Sequence, residues 1–478
     1  MGKILQRYKQ EFILGILICI YIAYFTLASF LRYDNFYTGR FDLGNMDQTV
    51  WNTINGRIFQ TTSDSGIIIS RLSAHADFML ILLSPFYLLW SHPKMLLLIQ
   101  SVVLALGSIF VFLIAKETIK NKNLALIFGF LFLMNPLLQF TNLYDFHAVT
   151  LATTLLLASF YFLIKQKYLL LVVFLILSGF TKEQVWIITA IFGFPLLFQK
   201  IKEIKLLGVG IIFFSLTIFV YLINYLIPQN SGGQHFALAY YSDFGNSPVQ
   251  IAINTLLSPQ KLFLTFFNAS GLDYLGKMFL PLGFISFLNP LQLIFSIPSL
   301  LINLLSNNLH LRQIYYQYTS AITPFIFISG IYGVKQFIKW LPKIPKIYIM
   351  TYLVFFTFLS AYSYGPLPGA KKPNLDMFTK PQSNKEIIEN FLSKISEKYT
   401  VAATNNLGSH ISQRKTIYTI PVGIDKADIV LFLLNDKFAQ PSLEAQEEMA
   451  NNLKSDENYI KVIEKDDFVV FKKQGILL

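Results

Sequence analysis

The chain has 478 residues, of which 54% are hydrophobic, 16% aromatic and only 14% charged. This composition, with a mean hydropathy of +0.51, excludes an ordinary soluble globular protein and indicates a polytopic membrane protein. The formal net charge of +12 rests on short lysine clusters between apolar runs, which read as topology signals and not as a nucleic-acid surface, and the single cysteine, Cys19, excludes intrachain disulfides and thiolate metal clusters.

Residues 12–31 make an apolar run of about 20 residues, enough to cross a bilayer. Lys3, Arg7 and Lys9 precede it, so the N-terminus is predicted to be cytoplasmic. The run is too long for a signal h-region and lacks a small-x-small cleavage site before Arg32, so no cleavable signal is expected. Residues 32–94 form the first external loop, with Asp34, Asp42, Asp47, Asp64, Asp77, His75, four arginines and interleaved aromatics such as Trp51. A loop so rich in ionisable groups beside a membrane is expected to hold a site. Within it, residues 78–90 are apolar but short and contain Pro85, which predicts a re-entrant or interfacial helix.

If that segment does not cross, the remaining runs alternate consistently. Residues 95–115 lead inward to Lys116, Lys120 and Lys122, and 124–140 lead out to Tyr144-Asp145-Phe146-His147. Residues 148–164 return to Lys165 and Lys167, and 168–180 go out to Thr181-Lys182-Glu183-Gln184. Residues 185–198 return to Lys200, Lys202 and Lys205, and 206–227 go out to a second external loop at 228–262. Runs at 274–288, 291–305, 319–334 and 347–362 complete the series, with Lys335, Lys339, Lys343 and Lys346 after the third of them. The prediction is a mainly α, polytopic membrane region over 1–363 with about eleven transmembrane helices, N-terminus inside. Residues 364–478 read as a small external α/β domain. It has helices at 383–398 and 442–453, strands at 400–404, 416–420 and 428–433, and a closing hairpin of 459–463 with 468–471. No strand leads into a nucleotide-binding glycine motif, and no internal repeat is evident.

Several polar residues stand where runs end. Asp42 lies just past the first span, where a carboxylate suits proton abstraction from a hydroxyl or cation binding, and nearby Asp47 reads equally as a helix N-cap. Asp145 and His147 form an Asp-x-His pair suited to a metal, to acid/base work or to a plain polar cap. Lys182 and Glu183 lie on the side where lysine is disfavoured, which suits either a phosphate contact or an internal pair. Arg71, His75, His235, His310 and Arg312 are further cations on that side. Tyr315, Tyr316 and Tyr318 fit an interfacial aromatic belt or a substrate surface.

The stretches FDLGNMDQTVWNTINGR, SRLSAHADFMLILLSPFYLLW, NLYDFH, GFTKEQ, LPLGFISFLNP, SIPSLLINLLS and RQIYYQYTSAITPF, with SHISQRKTIYTIP in the tail, are similar to the membrane-protein family catalogued as domain of unknown function 2079. The likeness covers nearly the whole chain. In layout that family resembles the C-type (GT-C) glycosyltransferases, which take a sugar from a polyprenyl-phosphate carrier at the outer face of the membrane. The resemblance implies an acceptor-side Asp in the first external loop (Asp42), acidic or His residues in the second (Asp145, His147), and a basic residue near the carrier phosphate (Lys182 or an external arginine). The WWD-type signature of the oligosaccharyltransferase branch is absent, which argues against an N-glycosylating enzyme.

Together these readings predict a multi-pass glycosyltransferase of the cytoplasmic membrane. Its donor is a polyprenyl-phosphate-linked sugar, its acceptor a cell-envelope glycan, lipid or protein, and no nucleic acid is involved. Asp42, Asp145 and His147 are the candidate catalytic residues and the candidate ligands of a divalent cation, no cofactor being implied with certainty. Asp47, Arg71, His75, Lys182, Glu183, His235, Arg312 and Tyr316 are candidates for substrate binding. The rival classes are a transporter or flippase, expected to show broken helices and mid-membrane charges, and a non-catalytic scaffold.

Overall fold

A computed structural model describes residues 7–477, so the predicted topology flank Lys3 lies outside the described residues. The chain is mainly helical, with one small mixed sheet near its C-terminus. The first helix, α1 (Lys9–Asp34), buries Leu14, Ile18, Tyr21, Phe25 and Ala28, one stripe at alternating helical spacings of four and three. Phe12, Ile16, Ile20 and Leu27 on its other side stay exposed, as they do on a helix whose outer surface meets lipid. It packs against α2 (Lys94–Ile119) in antiparallel fashion. Glu11 near the start of α1 pairs with Lys116 near the end of α2 (3.0 Å), and Asp34 at the other end pairs with Lys94 (2.6 Å).

The next run is bent. α3 (Lys122–Leu133) and α4 (Pro136–Leu143) meet at 40°. Pro136 has no N–H to continue the ladder, and the side chain of Asn135 instead caps Leu137 N at 2.8 Å. α5 (Lys202–Tyr221) runs on through a π-turn, so the apolar span reaches Ser231, and α6 (Lys346–Tyr364) precedes the tail. Among the described residues four helices are long and apolar enough to cross a membrane, five if the bent pair is one span. Of the other predicted spans, Ala152–Ile164 and Tyr168–Gly179 are single short helices, the 185–198 run breaks after Ile191, the 274–288 and 291–305 runs are interrupted by 3-10 turns, and Thr323–Trp340 is a continuous helix of 18 residues that is not apolar enough to count with the four. Residues 78–90 do not form a long helix, Met79–Leu83 passing into a 3-10 turn over Ser84–Leu88 that carries Pro85.

Charges sort to the two ends of the helices. At one end Lys116 and Lys122 pair with Glu11, and Lys120 and Lys165 with Glu117, whereas Asp34, Asp42, Asp145 and the C-terminal sheet gather at the other. A hairpin of β1 (Gln60–Thr62) and β2 (Ile68–Ser70) decorates that second end. The C-terminal sheet contains β3 (Val401–Ala403), β4 (Ile417–Thr419), β5 (Ile429–Leu433), β6 (Tyr459–Lys465) and β7 (Phe468–Lys473), in the order β4-β3-β5-β7-β6. β3 is parallel to β4 and β5, and β7 is antiparallel to both its neighbours. Every residue of β5 is buried, as befits a central strand covered on both faces.

The tail does not assemble its core alone. Phe36, held at a φ of 61° just past α1, inserts its ring among Ile388, Phe391, Val401, Leu407 and Phe468. It stacks on His410 of the tail (4.2 Å between centroids), which stacks in turn on Tyr33 (4.0 Å). The first loop and the last quarter of the chain therefore fold as one body of packing.

Candidate active site at the polar ends of the helices

A π-helical turn over Arg40–Gly44, closed by Gly44 N donating to Gly39 O (3.0 Å), presents Asp42. Such turns widen the backbone locally and recur at functional positions. Gly44 and Gly408 let the tail approach it: a Cβ on Gly408 would lie 2.3 Å from Arg40 Cβ, and one on Gly44 would lie 3.2 Å from Ser409 Cα. The turn following α4 supplies the partners. Asp42 Oδ1 faces His147 Nε2 at 3.0 Å, and Tyr144 donates its hydroxyl to Asp42 Oδ2 at 2.9 Å. His147 Nδ1 lies 3.0 Å from the carbonyl of Asp145. When the ring carries both protons, it donates to that carbonyl on one side and to Asp42 on the other.

Asp145 is turned the other way. Its Oδ2 accepts from Gly39 N (2.7 Å), while its Oδ1 has no hydrogen-bond partner and lies 3.8 Å from Arg32. Asp42 is 31% exposed and Asp145 only 4%, so Asp42 is the carboxylate that reaches the surface. Burial opposes ionisation of Asp42, but the hydrogen bonds and charges of His147, Tyr144 and Arg71 outweigh it and hold this carboxyl below its usual range. Burial, and next the charge of Asp42, push the Asp145 carboxyl up. Tyr144 is held protonated, first by burial and then by the two carboxylates. Two neighbouring carboxyls driven apart in this way divide naturally into one base and one proton holder.

The three sequence candidates for a cation thus come together, but their arrangement does not complete a ligand set. Among the described residues the group whose ligand atoms all lie within 4.8 Å of one another is His75, Glu183 and His235 instead. Asp145 is engaged by Gly39, and His147 Nε2 already faces Asp42.

The candidates for substrate binding divide. Tyr316 sets its ring edge-on to Tyr144 (5.0 Å), and the charge of Asp42 adds to burial in raising both the Tyr316 and Tyr318 phenols, so the RQIYYQY stretch borders the site. Arg312 binds the carbonyls of Leu304 (2.7 Å) and Ser306 (3.1 Å) and has no carboxylate partner among the described residues. Arg71 is buried and paired with Asp77 (3.0 Å), so its guanidinium serves its own loop. Lys182 belongs with His75 and Glu183, whose ionisation its charge affects, and not with Asp42. Glu183 joins His75 (3.0 Å) and lies 3.5 Å from His235. Burial opposes its ionisation, but both histidines and Lys182 hold its carboxyl well below the ordinary range. Burial and the charge of Lys182 push His75 down to about 4.

Asp47 is neither an N-cap nor open to a substrate. It lies inside helix Asn45–Ile54, fully buried, and accepts from Tyr87 (2.6 Å), Ser412 (2.6 Å) and Gln413 (3.1 Å), the last two from the tail. Arg32 and Tyr144, the partners of the carboxylates, carry little mark in the sequence: Tyr144 stands beside Asp145 at the end of an apolar run, and Arg32 ends the first one.

Four or five apolar helices of membrane-crossing length among the described residues, with a cluster of Asp, His and Tyr at one end of them, define a polytopic membrane protein. Residues 32–470 match the family described as "Predicted membrane protein (DUF2079)", and the chain belongs to that family. No curated protein matches it. Among solved structures it is similar to the archaeal oligosaccharyltransferase AglB from Archaeoglobus fulgidus, solved in complex with an inhibitory peptide and a dolichol-phosphate. That likeness has 13% identity and a TM-score of 0.41 and covers 99% of this chain and 75% of that one. A likeness so distant assigns neither activity nor substrate.

Proposed function

We propose that this protein is a membrane glycosyltransferase of the GT-C type, moving a sugar from a polyprenyl-phosphate carrier to an acceptor hydroxyl at the external face of the cytoplasmic membrane. The observation that carries the reading is the pairing of a partly exposed, ionised Asp42 with His147 and Tyr144, beside an Asp145 driven towards protonation. In this reading the acceptor oxygen attacks the anomeric carbon as Asp42 takes its proton. The bond from that carbon to the carrier phosphate breaks, and the phosphate leaves with the electron pair. In this reading His147 and Tyr144 hold the carboxylate in line, and Arg312, which has no carboxylate partner among the described residues, would be the cation that meets the phosphate. Because phosphate is a good leaving group, positioning, deprotonation and charge stabilisation supply most of the acceleration. Residues 1–363 would provide the membrane groove, with the short and interrupted helices completing the eleven-span layout. Residues 364–478 would stand outside and brace the first loop. The acceptor would be a glycan, lipid or protein of the cell envelope.

The test is transfer from radiolabelled polyprenyl-phosphate sugars in proteoliposomes. Asp42→Asn keeps the shape and removes the proton acceptor, so turnover is expected to fall roughly 10²- to 10⁴-fold while donor binding persists. Full transfer by this variant would remove Asp42 from the mechanism. One observation favours a second reading: the bend between α3 and α4, the short helix that leads to Asp145, is the kind of broken helix that transporters use. Movement of a lipid-linked substrate across the bilayer by the wild type, with no transfer product, would establish that reading instead.

A further inference from the structure

We propose that His75, Glu183 and His235 form a binding site for a zinc-type divalent cation, separate from Asp42 and its partners. Glu183 Oε1 lies 3.0 Å from His75 Nδ1 and 3.5 Å from His235 Nε2, and the three ligand atoms lie within 4.8 Å of one another. A zinc ion sits about 2.0–2.2 Å from imidazole and carboxylate ligands, so tetrahedral ligand atoms stand roughly 3.3–3.6 Å apart. To reach that geometry the His75–Glu183 pair must open slightly and the two imidazole nitrogens must draw together by up to about 1 Å, movements within reach of side-chain rotation.

A second observation points independently to a ligand. His235 is 5% exposed, and its Nε2 has no hydrogen-bond partner although it faces the carboxylate. A buried nitrogen left in that condition is costly unless something joins it to its neighbour. The surroundings suit retention of an ion. Ala76 N donates to Glu183 Oε2 (3.0 Å) and fixes the carboxylate, Phe236 stacks on His235 (4.9 Å), and Ala76, Trp186, Leu222 and Ile227 form an apolar wall. Two imidazoles and a single carboxylate are borderline ligands that favour zinc over calcium or magnesium, which demand more oxygens.

The ring chemistry adds a consequence. Ala237 N donates to His235 Nδ1 (3.1 Å), so the neutral ring carries its proton on Nε2. An ion taking Nε2 moves that proton to Nδ1 and opens the contact with Ala237, coupling occupancy to the turn at Phe236–Tyr241. The ion would also clip together the first loop, the segment after Tyr168–Gly179 and the segment after α5.

The experiment uses the full chain in detergent, treated with chelator and titrated with Zn²⁺ against a chromophoric competitor, with Co²⁺ as a spectroscopic substitute. One equivalent is expected to bind, with affinity weakened roughly tenfold or more in Glu183→Gln and His235→Ala and unchanged in Asp42→Asn. Co²⁺ should give the intense visible bands of a four-coordinate site with nitrogen ligands. Should the two variants fail to fold, the wild-type Co²⁺ spectrum decides: such bands support the site and their absence overturns it. No stoichiometric binding, binding that survives both substitutions in folded protein, or binding lost in Asp42→Asn instead would also overturn it. The readout is binding, so the outcome is independent of whether the protein transfers a sugar.

Discussion

Asp42 and Asp145 come from different loops into one cluster and are driven in opposite directions, and the difference comes from their partners. His147 is the main counterweight to the burial of Asp42. In His147→Ala the Asp42 carboxyl should rise, so the acid limb of the pH dependence of kcat/KM should move to higher pH, while Tyr144→Phe should move it less. Unchanged limbs in both variants would show that another group sets the profile. Asp47 illustrates the opposite case. Burial is the largest influence on it, and its carboxyl is pushed up to about 6 despite three hydrogen bonds. A carboxyl whose folded value exceeds its unfolded one stabilises the fold at low pH and loses that contribution as pH rises through the folded value. The window therefore runs from about pH 4 to about pH 7, and the gap is worth on the order of 3 kcal/mol. Asp47→Asn can still accept from Tyr87 and Gln413 through its carbonyl and donate to Ser412, so it should flatten that pH dependence and unfold no more easily at pH 7. Denaturation in detergent across this range measures both. Asp47→Ala, which strands Tyr87, Ser412 and Gln413, should lose about 1–3 kcal/mol or more.

Helices in this protein meet closely where glycine permits it. A Cβ on Gly193 would come within 2.5 Å of Gly208 O, and one on Gly208 within 2.7 Å of Gly193 O, so the two backbones are in mutual contact. Gly208→Ala must push α5 away from Phe194–Leu197 and should cost about 1–3 kcal/mol. Gly210→Ala, in the same helix with nothing within 4 Å of the added carbon, should instead be neutral or slightly stabilising. Equal melting temperatures for the two variants would refute this account of the packing. Apolar runs located the four long helices and the bent pair, short β-rich segments located β3, β4 and the closing hairpin within a few residues, and the continuous apolar run DIVLFL located β5. Hydropathy did not show where a run breaks. The kink at Asn135-Pro136 and the interruption after Ile191 depend on capping and on neighbouring helices, which leave composition unchanged.

Across the whole molecule, lysine clusters occupy one end of the helices and the Asp/His groups the other. With Cys19→Ser as background, Lys120→Cys and Lys343→Cys should be labelled from the cytoplasmic side only and Lys371→Cys from outside only; labelling of Lys120→Cys from outside would invert or break the topology. Position at the end of an apolar run on the same side marks Asp42, Asp145, His147 and Lys182 as one set, but Lys182 stands with His75 and Glu183 instead, because that criterion fixes a side and not a neighbour. Glu183, His75 and His235 were recognisable singly but not as a cluster, since no spacing links residues so far apart. The role of Asp47 was illegible for the same reason, its partner Ser412 lying 365 residues away. That separation has a consequence for biosynthesis. At usual elongation rates the ribosome needs on the order of tens of seconds to pass from Asp47 to Ser412. Throughout that interval the first loop exists beside the membrane without the tail that seats Phe36 and Asp47. A chain released early would carry its helices in the bilayer and an unfinished loop at their rim, so only a completed translation product can become a working one.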